Sequence, residues 1–321
     1  MASGADNSAI NDLIFKELIK RGYSLEGNTR IWNIADSKLW YLTPAQAQAY
    51  LDAENSREYK KKMVDNELQL LRETIPKIME KLASKETITL VDVGCGDGKK
   101  AVVPINILKK NHKINYCPID ISAYMVNKAI ENISNLEGVS EVVKFQWNVS
   151  DFENLENVTE LLRKGNKELL ILFLGSTLGN FETHELLYSL QNSMEFGDSL
   201  LIGVALDNAK DGSELAKSYI TPEADNFMGH VLIELGFSRD EIKFGARYKH
   251  GRVECFYEIK KDKKIQFQDK NIYFYEGDQV IISYSHKYTQ KELEEAVKLY
   301  FGKYEFYTNA EKDWTLIFCK K

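Results

Sequence analysis

The spacing of apolar residues along the chain changes from helical to strand-like near position 86. In the segment before this point, REYKKKMVDNELQLLRETIPKIMEKLAS, the apolar residues recur at intervals that fit one face of a helix. They are Met63, Leu68, Leu71, Ile75, Ile78 and Leu82. The pattern predicts that residues 1–80 form a mostly helical amino-terminal segment.

From position 87 to position 206, short apolar runs rich in β-branched residues alternate with helical stretches. The runs predict strands at 87–94, 113–120, 142–149, 168–174 and 198–206. Helical patterns lie between them, at 99–110 and 122–134 and in ENLENVTELLRK and THELLYSLQNSM. Strands that alternate with helices indicate a parallel sheet covered on both faces. Because crossovers between parallel strands are right-handed, we predict a doubly wound α/β fold.

The alternation ends at position 206, which indicates an insertion. Residues 207–240 have a polar, helical pattern, and residues 241–286 resemble β-hairpins with turns at KHG and EGD. A helix at 289–301 and strands near 303–308 and 313–319 restore the earlier pattern. We therefore predict an α/β core of residues 81–206 and 287–321. Residues 207–286 are predicted to form an inserted α+β substrate domain, to which the helical segment 1–80 contributes.

Composition and charge narrow the class of protein. The 321 residues are 44% apolar and 28% charged, with a net charge of −6 and no Lys/Arg block, so we expect no nucleic-acid partner. No apolar run reaches the ~18 residues of a membrane span, and the amino terminus lacks a signal-peptide pattern. We expect a cytoplasmic monomer or weak dimer. The four cysteines form no CxxC pair, which argues against a metal site.

The glycine-rich segment VDVGCGDG follows the first strand of the predicted core and indicates a ligand-binding loop. Gly94 and Gly96 allow a close approach of the backbone, and the next helix offers free N–H groups. Asp120 ends the second strand, where a carboxylate suits the two hydroxyls of a ribose. Asp151 and Phe152 follow the third strand, where they suit the amine and the face of a purine. Each feature alone fits an ordinary turn, but together they predict a nucleotide-cofactor site.

Two cofactors suit such a site. A nicotinamide dinucleotide calls for G-x-G-x-x-G, but Lys99 stands at the position of the third glycine. The segment Asp92-Val93-Gly94-Cys95-Gly96 instead fits the acid-x-G-x-G pattern of class I methyltransferases, which bind S-adenosylmethionine (SAM). This segment, with Asp151 and Phe152, favours SAM as the cofactor.

A more specific motif, FLGSTLGNF, occupies positions 173–181 after the fourth strand. It resembles the FLGSTIGN motif of the histidine-specific methyltransferase family, whose members methylate the α-amine of histidine or of tryptophan derivatives. The similarity runs from about position 55 to the carboxyl terminus and includes SYITPEADNFMGHVL in the insertion. The resemblance implies a class I methyltransferase core, Rossmann-like and doubly wound, with an inserted substrate domain.

The resemblance also implies roles for individual residues. Those implied to hold SAM are Gly94, Gly96, Lys100, Asp120, Asp151, Phe152 and Gly175. Asn180 and Tyr219 are implied to act in catalysis and to bind the amino-acid head group, with Tyr59 nearby. Those implied to line the acceptor pocket are Cys255, Ser283 and Ser285.

One of these positions departs from the family pattern. Ser283 stands where the histidine enzyme carries a glutamate, and a hydroxyl is a weaker partner for an imidazole N–H than a carboxylate. We therefore expect a SAM-dependent N-methyltransferase that acts on the α-amine of an amino acid or a related small amine, histidine-like or aromatic. One alternative is a methyltransferase of a protein or peptide amine, and another is a non-catalytic SAM-binding partner protein.

Overall fold

The computed structural model describes residues 4–57, 60–82, 86–163, 168–207 and 211–321. The chain divides into two compact units. The insertion unit consists of Met1–Ala53 and Ala209–His286, and the core unit consists of Glu54–Asn208 and Lys287–Lys321.

Strands and α-helices occur in both units. The strands are β1 Tyr23–Glu26, β2 Thr29–Asn33, β3 Thr87–Val93, β4 Lys113–Ile119, β5 Val139–Val142, β6 Leu169–Phe173, β7 Ser199–Ala205, β8 Ile242–Lys249, β9 Arg252–Ile259, β10 Lys263–Phe267, β11 Lys270–Phe274, β12 Gln279–His286, β13 Lys303–Thr308 and β14 Trp314–Lys320. The α-helices are α1 Gly4–Arg21, α2 Pro44–Glu54, α3 Asp65–Met79, α4 Val102–Leu108, α5 Ala123–Ser134, α6 Leu155–Leu162, α7 Thr183–Asn192, α8 Gly212–Lys217, α9 Pro222–Ile233 and α10 Gln290–Val297.

The core unit contains a seven-stranded sheet in the order β13-β14-β7-β6-β3-β4-β5. Strands β3 to β7 pair in parallel, and β14 joins β7 antiparallel. Along β6, Ile171 and Phe173 pack with residues of α6, α7 and α10, whereas Leu170 and Leu172 pack with residues of α3, α4 and α5. Because successive side chains of a strand point to opposite faces, both faces of the sheet are buried. The predicted doubly wound α/β core is confirmed.

The direction of winding reverses between β3 and β6. The chain runs outward from β3 to β4 and β5, and then returns to β6 on the other side of β3. In open α/β sheets, ligands bind at the carboxyl ends of the strands beside such a reversal. The loops that follow β3, β4 and β6 start at this edge.

The third strand of the core differs from the prediction. It is β5, at 139–142, whereas the predicted span 142–149 includes the 3-10 helix Gln146–Asn148. The Asn148 side chain accepts a hydrogen bond from the Phe145 N–H (2.6 Å) and donates one to the Pro118 carbonyl oxygen (2.8 Å). Such side-chain bonds to the backbone compete with a strand ladder. The apolar run alone does not show them, since Pro118 belongs to another strand.

The amino-terminal segment is mostly helical, as predicted, but it also contains a hairpin. Residues 23–33 form the hairpin β1-β2, and β2 pairs in parallel with β12, which brings Ile31 opposite Gln279. Local spacing cannot reveal a pairing between the two ends of the insertion unit. The helix α3 lies in the core unit, where Leu71 and Ile75 pack under the sheet. The first boundary between the units therefore falls at 53/54 rather than at the expected 80/81.

The insertion unit is built on a five-stranded sheet in the order β1-β2-β12-β9-β8, with a separate hairpin β10-β11. One face of the sheet carries Trp32, Tyr257 and Val280, which pack with apolar residues of α1, α2 and α9. The hairpins predicted for 241–286 are present, and the turn that connects β8 and β9 lies at the predicted KHG segment.

Other features of the described chain bear on the class of protein. None of the described helices combines the length and apolar character needed to cross a bilayer. Within the described ranges, no group of three or more His, Cys, Asp or Glu residues is placed to hold a metal ion. Cys95, Cys117, Cys255 and Cys319 are buried, and none of these four forms a disulfide.

Because β6 is buried in the core, a cavity at the middle of this strand is expected to lower the stability of the protein greatly. Ile171 is fully buried, so Ile171→Ala is expected to lower the free energy of unfolding by about 2–5 kcal/mol. Urea denaturation at neutral pH measures this change. Leu299→Ala is the control, because Leu299 is 66% exposed and should change stability little. Equal effects of the two substitutions would contradict the buried position of β6.

Candidate functional site

The loop after β3 turns sharply over the carboxyl end of β4. Gly94 and Gly96 both have positive φ angles, of 69° and 52°, which other residues rarely adopt. The N–H groups of Gly94 and Cys95 donate to the carbonyl oxygen of Ile119, at 2.8 and 3.1 Å. A further constraint applies at Gly98, where a Cβ would lie 3.1 Å from the Cα of Ala129. The loop is thus held close to β4 and α5.

Asp120 fastens this loop from the end of β4. Its carboxylate accepts hydrogen bonds from the N–H of Gly96 (3.1 Å) and the N–H of Ser122 (3.0 Å). The residue is buried, and burial raises the pKa of the carboxyl to about 6. Each carboxylate oxygen keeps a lone pair beyond these bonds, so the group can still accept hydrogen bonds from a ligand.

A second buried carboxyl lies at the end of β3. The Tyr116 hydroxyl donates to Asp92 Oδ2 at 2.8 Å, and both side chains are buried. Burial raises the pKa of Asp92 to about 7, against the lowering effect of the Tyr116 hydrogen bond. The Tyr116 hydroxyl also lies beside the loop, 3.2 Å from the position of a Cβ at Gly98.

Phe152 lies beside the glycine loop, after a short irregular segment rather than directly after a strand. Its ring packs against those of Phe173 and Phe181, with centroids 5.4 and 5.1 Å apart. A Cβ at Gly94 would lie 3.6 Å from the Phe152 ring. The neighbouring Asp151 is half-buried. The loop after β3, the segment at 151–152 and the motif 173–181 therefore meet at one place.

The polar residues of the motif after β6 divide into two groups. Ser176, which has a positive φ of 58°, accepts at Oγ from the Ala205 N–H, and its own N–H donates to the Gly203 carbonyl oxygen, both at 3.1 Å. The Thr177 hydroxyl donates to the Leu174 carbonyl oxygen at 2.8 Å. These two hydroxyls therefore shape the turn. The Asn180 side chain, which is half-buried, takes no part in these bonds.

A charged cluster that the sequence did not predict holds the start of this turn. Glu67, on α3, is fully buried and accepts a hydrogen bond from the Gly175 N–H at 2.7 Å. Lys100 Nζ lies 2.9 Å from Glu54 Oε1 and 3.8 Å from Glu67 Oε2. Glu67 is the charged residue on a buried helix face whose other members are Leu70, Leu71, Thr74, Ile75 and Ile78. A charged residue at a core-facing position was the signal in the sequence.

The predicted acceptor residues of the insertion unit come together within that unit. The hydroxyls of Tyr219 and Ser285 are 3.0 Å apart. Ser283 lies opposite Cys255 in the β12-β9 ladder, and both are buried. Tyr219 also packs against a small cluster that includes Cys255. Tyr59 lies outside the described residues.

The residues at the carboxyl edge of the core sheet suit a nucleoside that carries a charged tail. Asp120 presents acceptors for ribose hydroxyls, and the Phe152 ring presents an apolar face for a base. Lys100 brings an ammonium group to Gly175, where a Cβ would come within 2.8 Å of Nζ. Among the described residues, none comes within 4 Å of the position that a Cβ would take at Gly96.

The buried Asp92 predicts a pH-dependent gain of stability in Asp92→Asn. The folded pKa of about 7 lies above the unfolded value, so this carboxyl favours the folded state at low pH, and that contribution is lost as pH rises toward 7. At pH 8 the asparagine variant, which can still accept from Tyr116, should be more stable by about 1–3 kcal/mol. Urea denaturation at pH 8 and pH 5 measures the difference, which should shrink at pH 5. A difference independent of pH would contradict the burial of a charge at Asp92.

Comparisons with known proteins agree with this arrangement. Residues 49–321 match the family described as "Histidine-specific methyltransferase, SAM-dependent". The L-tryptophan methyltransferase trpM of Psilocybe serbica is 30% identical over 143 residues, which are 40% of this chain and 39% of that protein. The match thus spans about two fifths of that relative's length.

Solved structures of methyltransferases are similar at low identity. A SAM-dependent methyltransferase of Leishmania major has a TM-score of 0.44 and 9% identity, with 97% of this chain and 91% of that chain covered. The CurJ carbon methyltransferase has a TM-score of 0.44 and 12% identity, with 79% and 53% covered. Because the family match takes in both units and the carboxyl edge of the core sheet, this chain belongs to the SAM-dependent histidine-specific methyltransferase family.

Proposed function

We propose that this protein transfers a methyl group from SAM to the α-amine of a free amino acid or a related small amine. The proposal rests on a difference between the polar side chains of the turn after β6. The hydroxyls of Ser176 and Thr177 hold the backbone, and the Asn180 amide is not used in these bonds. An amide can accept from an amine and donate to a carboxylate, the two groups that every free amino acid carries.

The core unit supplies the residues that would hold the cofactor. Asp120 would accept from the ribose hydroxyls, and Phe152 would pack on the adenine, with Asp151 at its amine. Gly94 and Gly96 would let the backbone approach the nucleoside. Lys100, beside Gly175, would pair with the carboxylate of the methionine tail.

The bound cofactor supplies a methyl group that is already activated by its sulfonium. The protein's task is then to orient the acceptor amine with its lone pair free, so most of the rate enhancement comes from positioning. Asn180 is proposed to hold the head group of the acceptor beside the glycine loop. Its neighbour Phe181 packs against Phe152, which ties the turn to the cofactor residues.

The insertion unit bears on which amino acid is accepted. Tyr219, Cys255, Ser283 and Ser285 carry hydroxyls and a thiol but no carboxylate. Such a set favours an acceptor side chain that is uncharged or aromatic over one that needs an ionic partner. The similarity to a tryptophan methyltransferase points in the same direction. Tyr219 is proposed to contribute through its hydroxyl, which Ser285 orients at 3.0 Å.

Methyl transfer from labelled SAM to each of the twenty amino acids tests this function, with tryptophan, tyrosine and histidine repeated as amides. We expect one free amino acid to be methylated and its amide to be a poor acceptor. Asn180→Ala should lower kcat/KM for that amino acid by about a hundredfold, because the head group loses its orientation.

The matched control is Asn192→Ala. Asn192 lies on α7 in the same unit, and its side chain donates to the exposed Glu156. This variant should keep the rate of the wild-type protein. Transfer to peptides alone, or tight binding of S-adenosylhomocysteine without transfer to any amino acid or related small amine, would contradict the proposed function.

A further inference from the structure

Glu67 is a fully buried carboxyl group at a position where the fold would ordinarily place an apolar side chain. Its neighbours on the buried face of α3 include Leu70, Leu71, Thr74 and Ile75. A buried carboxyl costs free energy unless hydrogen bonds and charges compensate it. Burial raises the pKa of Glu67, whereas Lys100 and the Gly175 N–H act in the opposite direction.

The surrounding backbone is shaped to admit this carboxyl. Glu67 Oε1 accepts from the Gly175 N–H at 2.7 Å. On the neighbouring strand β7, Gly203 leaves the space open, since a Cβ there would lie only 2.1 Å from Glu67 Oε1. Any larger residue at 203 would push the carboxyl away from Gly175.

The Lys100 ammonium group approaches Gly175 from another direction. Lys100 Nζ lies near Glu67 Oε2, at 3.8 Å, and a Cβ at Gly175 would come within 2.8 Å of the same nitrogen. Glycine is favoured at 175 by its positive φ of 79°, and a Cβ there would also displace the Lys100 ammonium group. The carboxyl of Glu67 and the ammonium of Lys100 together fix where the turn leaves β6.

We propose that Glu67 is a positioning residue for methyl transfer, which fixes Gly175 through its hydrogen bond and thereby orients Asn180. The inference rests on the role of Asn180 proposed above. Between Gly175 and Asn180 the chain makes one tight turn. The Ser176 N–H donates to the Gly203 carbonyl oxygen and the Gly179 N–H to the Ser176 carbonyl oxygen, while the Thr177 hydroxyl donates to the Leu174 carbonyl oxygen. Loss of the Glu67 bond frees the first N–H of this turn, and small shifts of an orienting group cost rate.

Two substitutions at 67 separate the hydrogen bond from the charge. Glu67→Gln keeps an oxygen that can accept from Gly175 but removes the charge, whereas Glu67→Leu fills a similar volume without an acceptor. Thr74→Val is the matched control: Thr74 lies fully buried on the same helix, and its hydroxyl has no hydrogen-bond partner in the described part of the chain.

The first measurement is hydrogen exchange of the backbone amides from 174 to 180 in the full chain. Glu67→Leu is expected to speed exchange at Gly175 at least tenfold, while Glu67→Gln and Thr74→Val stay within about threefold of the wild-type protein. Hydrogen exchange can be measured without a methyl acceptor, so it tests the positioning role even if no amine is methylated. A failure to methylate any amine would overturn the proposed function instead. Unchanged exchange in Glu67→Leu would overturn the positioning role.

The second measurement is the methyl-transfer rate with the acceptor amino acid. Glu67→Leu should lower kcat/KM at least tenfold, and Glu67→Gln should restore it to within about threefold of the wild-type value. Should Glu67→Leu not fold, Gly203→Ala displaces the carboxyl from the other side and should give the same losses. A Glu67→Gln variant as impaired as Glu67→Leu would overturn the proposal, because the hydrogen bond would then not be the acting contact.

Discussion

The candidate site depends on one repeated interaction, in which a backbone N–H just after a parallel strand donates to a buried carboxyl group. After β3 the donor is Gly96 and the acceptor is Asp120, and after β6 the donor is Gly175 and the acceptor is Glu67. Both donors are glycines with positive φ. The two loops that flank the reversal of winding are therefore fixed by side chains from other elements, rather than by the loops alone.

This arrangement concentrates carboxyl groups at one edge of the sheet. Burial raises the pKa values of Asp92, Asp120 and Glu67, because the charged forms lose their contact with water. Lys100 lies among them and lowers the pKa of both Asp92 and Glu67. An edge rich in buried carboxyls favours a ligand that brings positive charge, as a sulfonium does.

The features that the sequence predicted are those encoded by short segments. The strand β6, the loop after β3 and Asp120 each follow from local patterns, as does the turn between β8 and β9. The strand β2 was missed because its partner β12 lies at the far end of the insertion. Glu67 was missed because its partner, Gly175, is distant in sequence. The assignment of the Ser176 hydroxyl to the turn needed the backbone of β7, which no local pattern supplies.

Calorimetric titration with S-adenosylhomocysteine at pH 8 and pH 5 tests whether Asp120 binds the cofactor at this edge. Without the cofactor, the Asp120 carboxyl has a pKa of about 6. Only its charged form can accept hydrogen bonds from both ribose hydroxyls. The affinity for S-adenosylhomocysteine should fall about tenfold from pH 8 to pH 5, because at pH 5 the Asp120 carboxyl must lose a proton before it can bind. In Asp120→Asn, binding should be weak and this pH dependence should disappear. Equally tight binding by both proteins, with the same dependence on pH, would show that Asp120 does not bind the ribose.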